Sequence, residues 1–163
     1  IEKFMDVGFD EKIAIDAVNA IMSIKFSEDE KFSTLDMNKI DLYTGNAKFM
    51  KVGAIESFIK RGNKVEVINS NTLPFGVLEE PDVDTVEKQV SNGDVIVSIS
   101  DGILDVKNDG SFDTTWLIEF LKNTKYRQPK DLSIAILEKA KELSGGKAKD
   151  DMTVVRSKGF AIN

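Results

Sequence analysis

Two short acidic segments hold the residues best suited to chemistry. Ser100-Asp101-Gly102 follows the nearly continuous apolar run Val95-Ile96-Val97-Ser98-Ile99, and Lys149-Asp150-Asp151-Met152-Thr153 leads into Val154-Val155 near the other end of the chain. A carboxylate at the end of a buried strand is held by rigid backbone, and a glycine after it lets another chain or a ligand approach closely. Hard divalent cations take oxygen ligands of this kind. Each segment also has a plainer reading, because Asp-Gly is a common turn dipeptide and an acidic pair is a common solvated strand entrance. The two gain weight together. If the apolar run and the stretch from Met152 are neighbouring strands, Asp101 and one of the pair Asp150-Asp151 converge; within a strand, adjacent side chains point to opposite faces, so only one of that pair would face a shared site.

The rest of the inventory narrows the chemistry. With 0 His and 0 Cys among 163 residues, the chain has no disulfide, no thiolate nucleophile, no zinc site of imidazole and sulfur, and no nucleophile–imidazole pair. Hydrolysis must then rest on carboxylates, carboxylate-held metal ions, lysine or a backbone-lined pocket. The net charge of −6 repels phosphate backbones and anionic lipid, so nucleic acid is not an expected partner. No stretch reaches the ~18 apolar residues that a bilayer span requires. The loop from Asp105 to Asp113 superficially suggests a calcium site, but Lys107 stands at a ligand position and Trp116 stands where a bidentate Glu is required. Ser144-Gly145-Gly146-Lys147 lacks the glycine spacing and hydroxyl of a phosphate-binding loop and reads as a helix end.

The elements that must position these carboxylates follow from hydrophobic spacing. Asp10 is placed to cap a helix over 10–26, in which Ala14, Ala17, Val18, Ile21 and Met22 recur at helical intervals, with Gly8 separating it from a shorter helical segment at 1–7. Packing on a core and a hinge or interaction role both suit such a pair. From Phe32 to Ile68 the texture is that of antiparallel strands, with a two-residue hairpin signal at Gly62-Asn63. Val95–Ile99 is the expected central strand. Trp116, Leu117, Phe120 and Leu121 mark one later helix, Leu132, Ile136, Leu137, Ala140 and Leu143 mark another, and a last strand begins near Met152. Two helices, four or five strands, two helices and a strand argue an α+β class with antiparallel sheet and outer helices in a single domain over 1–163. The chain opens on Ile1 inside an apolar, helical segment with no start signal, so it is expected to be a piece of something longer.

Thr34-Leu35-Asp36-Met37, Ile40-Asp41-Leu42-Tyr43-Thr44-Gly45, Ser57-Phe58-Ile59-Lys60-Arg61-Gly62, Leu73-Pro74-Phe75-Gly76, Ser100-Asp101-Gly102 and Asp150-Asp151-Met152-Thr153 stand in one order along the chain. That ordered set resembles the bacterial metal-dependent (PPM-type) serine/threonine phosphatases over nearly the whole length. The resemblance implies an α/β/β/α sandwich of mostly antiparallel sheets, with two Mn²⁺ or Mg²⁺ ions at one end. By motif, it makes Asp101 and Asp150 metal ligands, with Gly102 and Asp151 as supporting neighbours and no catalytic side chain beyond the ligands. Residues 1–27 resemble the family's regulatory switch helices. The family also uses Asp-Gly-Met-Gly, whose Asp bridges the two ions; the Asp-Gly pairs here are Asp101-Gly102 and Asp109-Gly110, and neither continues as Met-Gly.

The expectation is therefore an incomplete phosphatase domain that binds metal weakly and is inactive as it stands. In the intact parent, the resemblance implies attack of metal-activated water on a phosphoserine of a phosphorylated anti-anti-sigma factor, which releases a sporulation sigma factor. A homodimer through the apolar face of 10–26 is also expected, as is a cytoplasmic location with any membrane anchor outside these residues. The alternative is a non-catalytic binding or oligomerisation module on a degenerate phosphatase fold.

Overall fold

Capping and side-chain spacing shape the first helices much as the sequence suggests. The structure is a computed structural model describing residues 1–25, 32–106, 111–126, 129–147 and 150–158. Helix α1 spans Glu2–Asp6 and α2 spans Glu11–Lys25. Seven strands follow in chain order: β1 (Leu35–Ile40), β2 (Asn46–Val52), β3 (Ser57–Arg61), β4 (Lys64–Ile68), β5 (Asp84–Gln89), β6 (Val95–Ile99) and β7 (Val154–Lys158). Between β6 and β7 come α3 (Thr115–Asn123) and α4 (Pro129–Leu143). Six strands thus precede the later helices, rather than four or five. One of the breaks is made by Asp41, whose Oδ1 accepts from the N–H groups of Tyr43 (2.8 Å) and Thr44 (3.1 Å) and turns the chain between β1 and β2. No described helix is long and apolar enough to cross a membrane.

The chain divides into two compact units. The first comprises Ile1–Lys39, Lys48–Ala54 and Ser70–Glu87. Here Asp10 caps α2 by accepting from the Ile13 N–H at 3.1 Å. Ile15 packs with Val52 and Phe75, and Val18, Met22, Leu35 and Met37 border that cluster. Asn19 is 1% exposed and fixes the loop over the helix: its Nδ2 donates to the carbonyls of Leu78 (3.0 Å) and Glu79 (2.9 Å), and its Oδ1 accepts from the Gly76 N–H (3.1 Å). One face of α2 is therefore packed as an ordinary core face, while Ile13, Ile21 and Ile24 stay exposed. Strands β1, β2 and β5 form a three-stranded sheet in the order β1-β2-β5.

The second unit comprises Ile40–Ala47, Ile55–Asn69 and Lys88–Asn163. Its sheet runs β4-β3-β6-β7, with every neighbouring pair antiparallel. Gly62 (φ +60°) and Asn63 make the expected two-residue hairpin, closed by the Arg61–Lys64 pair. β6 is an interior strand as expected. Phe58, Val95 and Val97 pack with Leu117 and Leu121 of α3 and Leu132, Ile136 and Ala140 of α4, all fully buried. At ~1.5–3 kcal/mol for each large apolar side chain buried, this cluster dominates the unit's stability and holds β6 rigid.

Two charged groups hold one end of this sheet. Lys60 is 4% exposed, and burial lowers its ammonium below the usual lysine range. It donates to the carbonyls of Gly62 (2.7 Å) and Leu121, tying the hairpin to the last turn of α3. Asp94, just before β6, is 2% exposed and receives Arg61 Nε at 3.0 Å on both oxygens, Arg61 Nη2 at 2.7 Å and the Ser91 N–H at 2.8 Å. Removing the arginine strands a buried carboxylate. Arg61→Ala is expected to cost about 2–3 kcal/mol, because the guanidinium is itself half exposed. Urea unfolding reads this as a lower midpoint at unchanged slope; a loss under ~0.5 kcal/mol would make the pair an ordinary surface contact.

Candidate metal centre

Where β6 ends, the backbone has to change direction. Ile99 pairs with Val154 of β7, Ser100 stays extended (φ −88°, ψ 160°), and Asp101–Ile103 forms a single 3-10 turn. That turn is closed by the Ile103 N–H donating to the Ser100 carbonyl at 3.0 Å and the Leu104 N–H donating to the Asp101 carbonyl at 2.8 Å. Ile103 and Leu104 are completely buried, so the turn is pinned from below while Asp101 is left exposed at the end of the sheet. The Gly102 N–H donates to Asp101 Oδ1 at 2.9 Å, which fixes the carboxylate against its own backbone.

The second acidic segment reaches this turn through β7. The Ser100 N–H donates to the Thr153 carbonyl at 3.0 Å, continuing the ladder one rung past Val154. The Ser100 hydroxyl accepts from the Thr153 N–H and donates to the Asp151 carbonyl, both at 2.8 Å. Gly102 then lies directly against the incoming chain. A Cβ built there would stand 2.6 Å from the Asp151 carbonyl oxygen and 3.2 Å from that of Asp150, both backbone atoms. The two segments expected from the sequence to form the site are therefore adjacent: Gly102, next to Asp101, lies against the backbone of Asp150 and Asp151.

One detail differs. Regular β7 begins at Val154, not Met152, and Asp150 lies in a bend before it. The hydroxyl of Ser100, rather than a regular ladder, holds Asp151 and Thr153, so strand alternation does not govern which way the two acids face. Asp150 Oδ1 accepts from the Asp151 N–H at 2.7 Å, and both residues are exposed.

This donor set is all oxygen, and Asp101 and Asp150 each have one carboxylate oxygen engaged by a backbone N–H and a second with no protein partner among the described residues. It suits a hard cation that keeps several of its waters. Among the described residues, no group of three or more His, Cys, Asp or Glu side chains is placed to hold an ion, so the arrangement is part of a shell and not a closed cage. The other acidic loop has a structural use at its end: Asp113 Oδ1 accepts from the Thr115 N–H at 2.9 Å at the start of α3, while Lys107 to Gly110 lie outside the described residues. Gly145-Gly146 follows α4 as the helix end the sequence suggests, and Ala148 and Lys149 lie outside the described residues. Ser100 is the participant that sequence reading passes over, although a hydroxyl between the apolar run and Asp101 is its signal.

Known proteins resemble this chain over most of its length. The family profile "Stage II sporulation protein E (SpoIIE)" matches residues 1–158. Stage II sporulation protein E of Bacillus subtilis (strain 168) is 38% identical over 155 residues, covering 95% of this chain and 19% of that protein. The chain thus spans about a fifth of the length of this relative. A solved structure of the PP2C phosphatase domain and a fragment of the regulatory domain of SpoIIE from Bacillus subtilis superposes with a TM-score of 0.84 at 38% identity, covering 95% of this chain and 46% of that one. The Mn-presoaked phosphatase domain of the same protein superposes with a TM-score of 0.71 at 36% identity, covering 96% and 70%. The mixed helix and antiparallel-sheet class expected from the sequence is that of these PP2C phosphatase domains, and the chain belongs to the stage II sporulation protein E family.

Proposed function

We propose that this chain carries part of the metal centre of a PP2C-type serine/threonine phosphatase, with Asp101 and Asp150 as two of its ligands. The observation that carries the reading is the contact of Gly102 with the Asp150-Asp151 backbone, which brings two sequence-distant carboxylates to one end of a rigid sheet. Family membership and the Mn-presoaked relative support it. A divalent metal, when bound, supplies Lewis acidity toward phosphoryl oxygens and lowers the pKa of a water for attack on phosphorus. The chain's own residues do the positioning. Buried Ile103 and Leu104 hold the Asp101 turn, the Gly102 N–H orients the Asp101 carboxylate, and the Asp151 N–H orients that of Asp150.

The finer reading follows the family: the substrate is a phosphoserine of an anti-anti-sigma factor, and its dephosphorylation releases a sporulation sigma factor in a parent that is membrane-anchored elsewhere. With two carboxylates and no Asp-Gly-Met-Gly, the present chain alone is expected to bind Mn²⁺ or Mg²⁺ weakly and turn over little. The exposed Ile13, Ile21 and Ile24 of α2 favour self-association as the partner arrangement for the first unit. A non-catalytic module is the rival reading, favoured by the missing third carboxylate among the described residues.

Phosphate release from a phosphoserine protein decides between them, measured on a polypeptide that joins this chain to the family's Asp-Gly-Met-Gly segment. Asp101→Asn is expected to lower Mn²⁺-dependent turnover by more than the ~100-fold typical of losing a residue that merely supports a ligand. Turnover indifferent to Asp101, or none in the unmodified protein, favours the module. Gly102→Ala is expected to lower turnover strongly at a stability cost of ~1–3 kcal/mol, because its methyl forces the Asp151 carbonyl away. Retained turnover in that variant would show the close approach to be dispensable.

A further inference from the structure

An antiparallel ladder normally pairs residues by reciprocal bonds, each N–H donating to the other's carbonyl. Ser100 and Thr153 form half of such a pair, with the Ser100 N–H donating to the Thr153 carbonyl at 3.0 Å. The return bond from Thr153 does not go to the Ser100 carbonyl. That carbonyl accepts instead from the Ile103 N–H at 3.0 Å, as β6 passes at once into the Asp101–Ile103 turn. The Thr153 N–H finds the Ser100 hydroxyl instead, at 2.8 Å, and the same hydroxyl spends its proton on the Asp151 carbonyl, also at 2.8 Å. One side chain thus replaces a backbone acceptor and adds a second tether three residues ahead of β7.

We infer that Ser100 is a positioning residue for the metal centre: its hydroxyl lets β6 leave the ladder to form the Asp101 turn while still holding the Asp150-Asp151 segment against Gly102. This rests on the metal-centre reading above. Two requirements meet at the position. The side chain must accept one hydrogen bond and donate another, and it must be short enough to do so within its own rung; Ser and Thr satisfy both, whereas Ala has no group to accept or donate. Without the hydroxyl, the Thr153 N–H and the Asp151 carbonyl turn to water, and nothing else among their described bonds ties Asp151 to the turn. The ion would then meet Asp101 and an Asp150-Asp151 segment held to the turn only through the Ser100 N–H bond to the Thr153 carbonyl.

The test uses this chain with Ser100→Ala and Ser100→Thr, each checked for a dispersed amide spectrum. Without metal, hydrogen exchange at the Thr153 amide is expected to speed up about tenfold in Ser100→Ala and to stay near the unmodified rate in Ser100→Thr. With Mn²⁺, paramagnetic broadening of the Gly102 and Asp151 amides is expected to follow one common titration in the unmodified chain and in Ser100→Thr. In Ser100→Ala the same broadening is expected to require about tenfold more Mn²⁺. Unchanged Thr153 exchange in Ser100→Ala, or broadening there at the same Mn²⁺ concentrations as in the unmodified chain, overturns the positioning role. No broadening at either amide of the unmodified chain, with Thr153 still protected by the hydroxyl, instead overturns the metal reading and with it any role of Ser100 toward a metal.

Discussion

Strand β6 has to satisfy two demands within one residue: remain in the ladder with β7 and leave it to form the turn that carries Asp101. Its interior course is set by Val95 and Val97, which are completely buried under α3 and α4 and leave little freedom to shift register. Its exit is set by Ile103 and Leu104, equally buried, which draw the chain down after Asp101. Between these anchors the Ser100 carbonyl closes the turn, and the Thr153 N–H is left to the Ser100 hydroxyl. The site follows from that arrangement. An exposed carboxylate stands at the end of a rigid strand, and a glycine beside it leaves room for the second acidic segment to pass at van der Waals distance.

The opposite end of the same sheet is held by charge. Asp94 anchors Arg61 just before β6 begins, and Lys60 ties the hairpin to the Leu121 carbonyl in the last turn of α3. A half-buried ion pair of this kind adds little net stability over an apolar pair, yet it penalises any slip that separates its partners. Register at the Asp94 end fixes register at the Asp101 end, since the six residues between them run as one extended strand. The exposed acids thereby inherit their placement from residues that never touch them.

Much of this was legible in the sequence because it rests on local signals. The Gly62-Asn63 hairpin, the apolar run of β6, the apolar spacing of α2 and the glycine pair after α4 each appear where residue type alone puts them. The meeting of Asp101 with Asp150-Asp151 was legible only conditionally, as a consequence of pairing β6 with β7. Less visible were the features that depend on which neighbour a group finds. Asp41 gives no sign in the sequence that its carboxylate oxygen takes two backbone N–H groups to make the turn between β1 and β2. Lys60 reads as an exposed strand lysine until α3 covers it. Ser100 reads as a small linker, and the later start of β7 follows from its hydroxyl reaching across the rung.

The central claim is that Asp101 and Asp150 address the same cation. Anomalous diffraction at the manganese edge, from crystals of this chain soaked in Mn²⁺, tests it most directly. The account predicts one peak beside Gly102 at coordination distance, about 2 Å, from a carboxylate oxygen of each of the two residues. A peak held by only one of them, or manganese bound elsewhere with neither engaged, would contradict it.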